Sequence, residues 1–260
     1  MLNHALVLTL LAAPAATTKT APSAYEIAKR AHEISSVGFG GERFASKMEL
    51  YDAHGERVAE YQLMTFNREG AKQSDGTTKS LVRFTGPADA KGTALLTHEQ
   101  KNGQESRWLY MAETRRVKQI GSGSMSASFK GSEVSYEDMT LEALDKYDYR
   151  LLGDHRLGKR DTWKVEARPK FADSGYSRTV TYYDKKAGYP LKTEFYDRAG
   201  KPLKTMLVKG YQRVKGKWRP SKSQIKNVQT KRKTVVTSGG YQLGIDLPDR
   251  MFTVAQLQRQ

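Results

Sequence analysis

The sequence predicts a mainly β (α+β), antiparallel fold in one domain. Short strand-like runs separated by turn signals follow one another from about residue 42 to the C-terminal end. The second half carries a near repeat that describes an up-and-down meander. One segment near the start is marked as a helix at both ends. A large meandering sheet must bury one face, and with so few helices it is expected to curl around a core or cavity.

The elements follow in order. Ser23-Ala24-Tyr25-Glu26 is a capping box, and Ala24, Ile27, Ala28, Ala31 and Ile34 then recur on one helical face until Gly38, Gly40 and Gly41. Phe44–Tyr51 and Val58–Phe66 form a strand pair across Asp52-Ala53-His54-Gly55. Leu81–Phe84 and Thr93–Thr97 flank the turn-rich Gly86-Pro87-Ala88-Asp89. Asn102-Gly103 suits a tight hairpin turn before Arg107–Met111. Val117 and Ile120 precede a loop, Gly121-Ser122-Gly123-Ser124, and a second helix is expected from Ser135, with Met139, Leu141 and Leu144 as its apolar set.

Strands resume at Tyr147–Leu152 and Thr162–Ala167 around the turn Leu157–Arg160. Tyr183–Thr193 is then echoed by Tyr196–Thr205, each copy reading as strand end, glycine turn and strand start. Two copies do not make a solenoid. A further hairpin is expected at Lys215-Gly216-Lys217, and the chain closes with Thr234–Thr237, a break at Gly239-Gly240 and an amphipathic end from Phe252 to Leu257. The expectation is about ten strands, one clear helix and one or two short ones.

Residues 1–16 read as a signal peptide: an apolar run from Leu2 to Leu11 leads into Ala12-Ala13-Pro14-Ala15-Ala16, small residues suited to a signal-peptidase cut. Residues 17–260 are then the single folded domain, exported to the periplasm. With no cysteine there is no lipid attachment point at the mature terminus. The net charge is +16, and from Lys201 to Lys233 there are basic residues and no acidic ones. Such a field draws a protein to anionic membrane surfaces or acidic polymers, or is simply a solvated sheet face. An exported protein meets little nucleic acid, so nucleic acid is not expected as a partner.

No local motif supports catalysis. The five histidines, His4, His32, His54, His98 and His155, are scattered, and without cysteine a metal site has little support, so neither metal nor cofactor is expected. Glu133, Glu137 and Asp138 are explained as acids at a helix start. Phosphate loop, dinucleotide fingerprint and nucleophile elbow are all missing from the sequence.

One stretch is specific. Phe129-Lys130-Gly131-Ser132-Glu133-Val134-Ser135-Tyr136-Glu137-Asp138-Met139 resembles the signature of the outer-membrane lipoprotein-sorting (LolA-like) family. Its surroundings match in order: Met64-Thr65-Phe66, Lys91-Gly92-Thr93, Trp108-Leu109-Tyr110, Arg115-Arg116, Tyr196-Asp197 with Gly200, and Phe252-Thr253 with Leu257. The set is closer to the broader sorting-like branch than to the lipoprotein chaperone itself.

The resemblance implies a strongly curved antiparallel sheet, an incomplete barrel, with short lid helices over an apolar cavity. It also implies carriage of lipid or lipoprotein acyl chains from an inner-membrane transporter to an outer-membrane acceptor, with no bond made. Alternation along strands offers Met64, Phe66, Phe84, Leu96, Trp108 and Tyr110 as cavity residues, with Phe129 near the lid. Arg115 and Arg116 are candidates for a headgroup or a lid carbonyl. Two alternatives stay open: a module that binds anionic polymer or membrane through the Lys201–Lys233 field and Trp218, and a hydrolase with a dispersed site.

Overall fold

The computed structural model describes residues 21–35, 40–70, 76–100, 104–139 and 144–258. The segment read as a signal peptide, Asn102-Gly103 and Leu141 lie outside these residues.

Thirteen strands form one antiparallel sheet. The first six are β1 (Gly41–Tyr51), β2 (Arg57–Arg68), β3 (Thr78–Gly86), β4 (Ala94–Glu99), β5 (Glu105–Met111) and β6 (Arg116–Ile120). The other seven are β7 (Tyr147–Leu157), β8 (Arg160–Pro169), β9 (Tyr176–Asp184), β10 (Pro190–Asp197), β11 (Pro202–Val214), β12 (Lys217–Asn227) and β13 (Lys233–Leu243). Their spatial order is β6-β5-β4-β3-β2-β1-β13-β12-β11-β10-β9-β8-β7. Two meanders therefore meet at the β1–β13 pair, and β6 and β7 are the free edges of a sheet that does not close into a barrel.

The sheet has more strands than the ten or so expected, and several of them extend further than their apolar cores. The strand predicted to break at Gly239-Gly240 continues instead through both glycines. Between Arg43↔Gln242 and Ala45↔Gly239, the single residue Phe44 faces both Gly240 and Tyr241. Gly240 takes φ 64°, and Gly240 with Tyr241 forms a β-bulge there rather than an end. The bulge brings Tyr241 onto Phe44, ring centroids 4.7 Å apart.

The predicted helix is α1 (Ala24–Ser35), and its capping box forms as expected. The Ser23 amide donates to Glu26 Oε2 at 2.7 Å, and the Glu26 amide donates to Ser23 Oγ at 3.2 Å. Cations satisfy carbonyls of its last turn: Lys217 Nζ donates to the Glu33 carbonyl and Arg219 Nη1 to that of Ile34. Its apolar stripe, with Ala24 and Ile27, packs on Val165, Tyr149, Leu151, Trp163 and Tyr183. Directly opposed residues share a face. The register runs from Met206 to Thr193, Thr181 and Val165, which sets α1 on the same face as Met206, inside the curve.

The near repeat gives the β9–β10 and β10–β11 hairpins, and its two glycine turns have different surroundings. At Gly188 (φ 84°) a Cβ would come within 2.8 Å of Arg30 and Ile34 of α1, whereas at Gly200 (φ 78°) it would meet open space.

The chain end covers the opposite, outer face of the first meander. Leu247, Phe252 and Leu257, the last on α2 (Val254–Leu257), pack with Ile245, Met251 and Val254 onto Leu81, Ala94, Leu96 and Tyr110. Asp249 pairs with Lys79 at 2.9 Å and Arg68 at 2.6 Å, and His98 Nε2 lies 2.7 Å from the Phe252 carbonyl.

Candidate functional site: a roofed apolar cavity

Because β6 and β7 are opposite edges of the sheet, residues 121–146 must cross from one to the other. This crossover contains the Phe129–Met139 signature. Its chemistry starts with a turn: Lys130 (φ 50°) and Gly131 (φ 75°) both take positive φ, and the Ser132 amide donates to the Phe129 carbonyl at 3.0 Å. These are the features of a type I′ hairpin turn. The small hairpin is closed by the Ser128–Ser135 bridge. A second helix does not form in the described part, which has 3-10 turns at Glu137–Met139 and Leu144–Lys146. Ser135 and Asp138 still cap each other, but across one turn, since the acids are drawn into bonds with the sheet.

Those bonds fasten the crossover to the second meander. Glu137 accepts from Ser174 Oγ and from the Gly175 amide at 2.8 Å, and Asp138 accepts from Tyr176 OH at 2.7 Å and is ion-paired with Lys204. Glu133 accepts from Asn227 Nδ2 at 2.8 Å, while its amide donates to Thr234 Oγ1 at 2.9 Å. Burial pushes the Glu137 carboxyl upward, against the Ser174 and Gly175 donors, and also pushes the Tyr176 phenol up. Toward the first meander the fastening is mainly apolar. Phe129, 1% exposed, packs against the rings of Phe84 (5.6 Å) and Tyr136 (5.8 Å) and within a core that includes Met48, Leu63, Leu95 and Leu109.

Beneath this roof lies a cavity of about 450 Å³. Phe44, Met48, Leu63 and Val82 wall it from the first meander, Phe195, Met206, Ile225 and Val236 from the second, and Phe129, Val134 and Met139 from the crossover. Its polar fringe is the anchoring set: Glu137, Asp138, Ser174, Tyr176 and Lys204. Next to it is a smaller polar chamber of about 270 Å³ that shares Phe44, Thr65, Val82, Asp138 and Met139 and is lined by Glu42, Glu99 and Glu105. Burial first, then the neighbouring Glu105 carboxylate, pushes the Glu99 carboxyl up to about 7.

That shift has a measurable consequence. Folded Glu99 holds its proton to higher pH than the unfolded chain does, so stability falls as pH rises from about 4.5 through about 7. Glu99→Gln should remove this component and leave the protein about 1–2 kcal/mol more stable at pH 8 than the parent, the figure being reduced for partial exposure. Denaturant titrations at pH 5 and pH 8 give the comparison.

Of the residues expected at the cavity, Phe129 lines it and Phe84 lies on the same concave face, packed behind Phe129. Phe66, Leu96, Trp108 and Tyr110 are on the outer face, in the layer under the C-terminal segment, and Trp108 is edge-on to His98. Met64 is also on the outer face, opposite Ala45 and Arg83. The reading by alternation was one residue out of phase on β2, β4 and β5: Leu63, Thr65, Leu95 and Leu109 point inward instead. Both faces of this half are apolar, one toward the cavity and one toward the C-terminal layer, so alternation does not say which is which.

Arg115 and Arg116 are exposed at the β5–β6 turn and do not line the cavity. The basic run from Lys201 to Lys233 is not all surface: Lys204 and Arg219 point inward, the latter paired with the buried Glu42. Trp218 packs edge-on against Tyr189.

Comparisons agree with this architecture. A protein described as an outer membrane lipoprotein-sorting protein domain, from Vibrio parahaemolyticus, is 31% identical over 91% of this chain and 98% of its own, with a TM-score of 0.83. A DUF1329 family protein from Desulfovibrio piger (24% identity, 90% and 97% coverage, TM-score 0.83) shares the fold. So does a LolA superfamily protein from Nitrosomonas europaea (20% identity, 90% and 99% coverage, TM-score 0.72). A family model described only as "Uncharacterized protein" matches residues 76–259. No curated protein matches the chain. The fold is LolA-like. The chain belongs to the outer membrane lipoprotein-sorting family.

Proposed function

We propose that this protein is a periplasmic carrier that encloses an acyl chain of a lipid or lipidated protein and passes it from an inner-membrane donor to an outer-membrane acceptor. No bond is made or broken in that work. The observation that carries the reading is the cavity itself: apolar walls from both meanders, roofed by the crossover. Its volume of about 450 Å³ is in the range, roughly 300–1,000 Å³, of pockets that hold one small ligand. Each methylene moved from water into such a space gains about 0.8 kcal/mol, which is why an acyl chain crossing an aqueous compartment needs an enclosure. Export is supported by the apolar run from Leu2 to Leu11 and the small residues after it. Among the described residues no helix is long and apolar enough to cross a membrane.

Filling the cavity tests the reading. Ser223 lines it from β12 between Val208 and Val236. Ser223→Phe should weaken binding of a fluorescent fatty acid at least about tenfold, at a stability cost of about 1–3 kcal/mol from overpacking. Equal probe binding by the variant and the parent, both folded, would place the ligand elsewhere.

A further inference from the structure

The two meanders differ on their outer faces. The C-terminal segment covers the first, whereas α1 packs inside the curve of the second, and among the described residues no helix lies on that meander's outer face. Register places Arg150, Lys164, Arg168, Arg178 and Lys192 together on that outer face of β7–β10, against Asp148, Glu166 and Glu194.

The cations are arranged to leave an excess. Arg150, Arg168 and Arg178 all converge on the one carboxylate of Glu166, at 3.3, 2.9 and 3.5 Å, and the first two side chains are 67% and 60% exposed. Lys164 and Lys192 both sit over the Tyr182 ring, and Arg178 stacks on Tyr196 at 3.7 Å, so cations and tyrosines interleave. In the same edge strand, Leu152 is the extra residue of a β-bulge and one of three large apolar side chains exposed among the described residues. A broad cationic face with amphipathic tyrosines and an exposed leucine beside it fits a surface that is anionic outside and apolar just beneath.

We propose that the outer face of β7–β10 docks the protein on anionic phospholipid bilayers through their phosphate headgroups. Charge complementarity carries the choice, and Leu152 favours a bilayer over a soluble polyanion, which offers nothing apolar to meet it. Docking here leaves the concave face clear. The inference adds to the carrier reading but does not depend on cargo being bound.

Sedimentation of the purified protein with vesicles tests it. Phosphatidylglycerol vesicles should bind at least about tenfold more protein than phosphatidylcholine vesicles, and the difference should collapse between about 50 and 500 mM salt as screening shortens. The variant Arg150→Gln/Lys164→Gln/Arg168→Gln should lose about fivefold or more of the anionic binding while binding the fluorescent fatty acid like the parent, which separates this proposal from the cavity's. Acetylation footprinting of the unmodified protein needs no variant: anionic vesicles should shield Lys164 and Lys192. Equal binding to both vesicle types, unshielded lysines, or capture by heparin without binding to vesicles would overturn it, the last pointing to a polymer partner.

Discussion

Lys204→Met should destabilise the protein by about 3–5 kcal/mol, the usual result of stranding one charge of a buried pair. Lys204 is 5% and Asp138 14% exposed, and the Lys204 ammonium also donates to the Glu133 carbonyl at 3.0 Å. It lies over the Tyr176 and Phe195 rings, so methionine keeps much of the packing and removes the charge. The double variant Lys204→Met/Asp138→Asn should recover a large part of the loss, because the asparagine oxygen can still accept from the Ser135 amide while its Nδ2 donates to the Tyr176 hydroxyl, which in turn donates to Ser135 Oγ. Since the pair fastens the roof to β11, the single variant should also release a bound fatty-acid probe faster than the parent. Denaturation with stopped-flow probe release reads both effects. A fully stable variant with unchanged release would mean that the roof is held by other contacts.

Phe129→Ala should cost about 3–5 kcal/mol, the range for truncating a buried aromatic ring. Its ring joins the roof to the first meander and forms part of the cavity lining, so removal both enlarges the cavity and loosens one side of its cover. The expected signature is loss of stability together with weaker probe binding. Phe66→Ala, on the outer face beneath the C-terminal segment, should cost stability while leaving probe affinity within about twofold. Equal loss of affinity in both variants would contradict the assignment of Phe66 to the outer layer.

Much of the fold is local and was therefore legible. Ser23 and Glu26 specify the start of α1 through bonds three residues apart, and the glycine turns of the near repeat specify hairpins across a few residues. What local signals do not contain is which side of a strand faces inward. On β2, Leu63 and Thr65 reach the cavity while Met64 and Phe66 face outward, and both pairs offer apolar surface. Only the long-range return of Phe252 and Leu257 onto Leu96 and Tyr110 decides the phase. Glu133, Glu137 and Asp138 are only partly legible for a related reason. As sequence they look like the acids of a helix start, yet their partners, Asn227, Ser174 and Lys204, are 94, 37 and 66 residues away. The same distance effect hid the cationic outer face, whose members come from four strands, while the conspicuous run from Lys201 to Lys233 turns two of its cations inward.

The most direct test of the central claim is mass spectrometry of organic extracts from the protein purified, without detergent, from the envelope of its own cells. A lipid or acylated peptide in stoichiometric amount, lost in Ser223→Phe and absent from a control protein handled identically, is the predicted result. An extract no richer than the control, from protein that still binds a fatty-acid probe, would contradict the claim that the cavity carries an acyl chain in the cell.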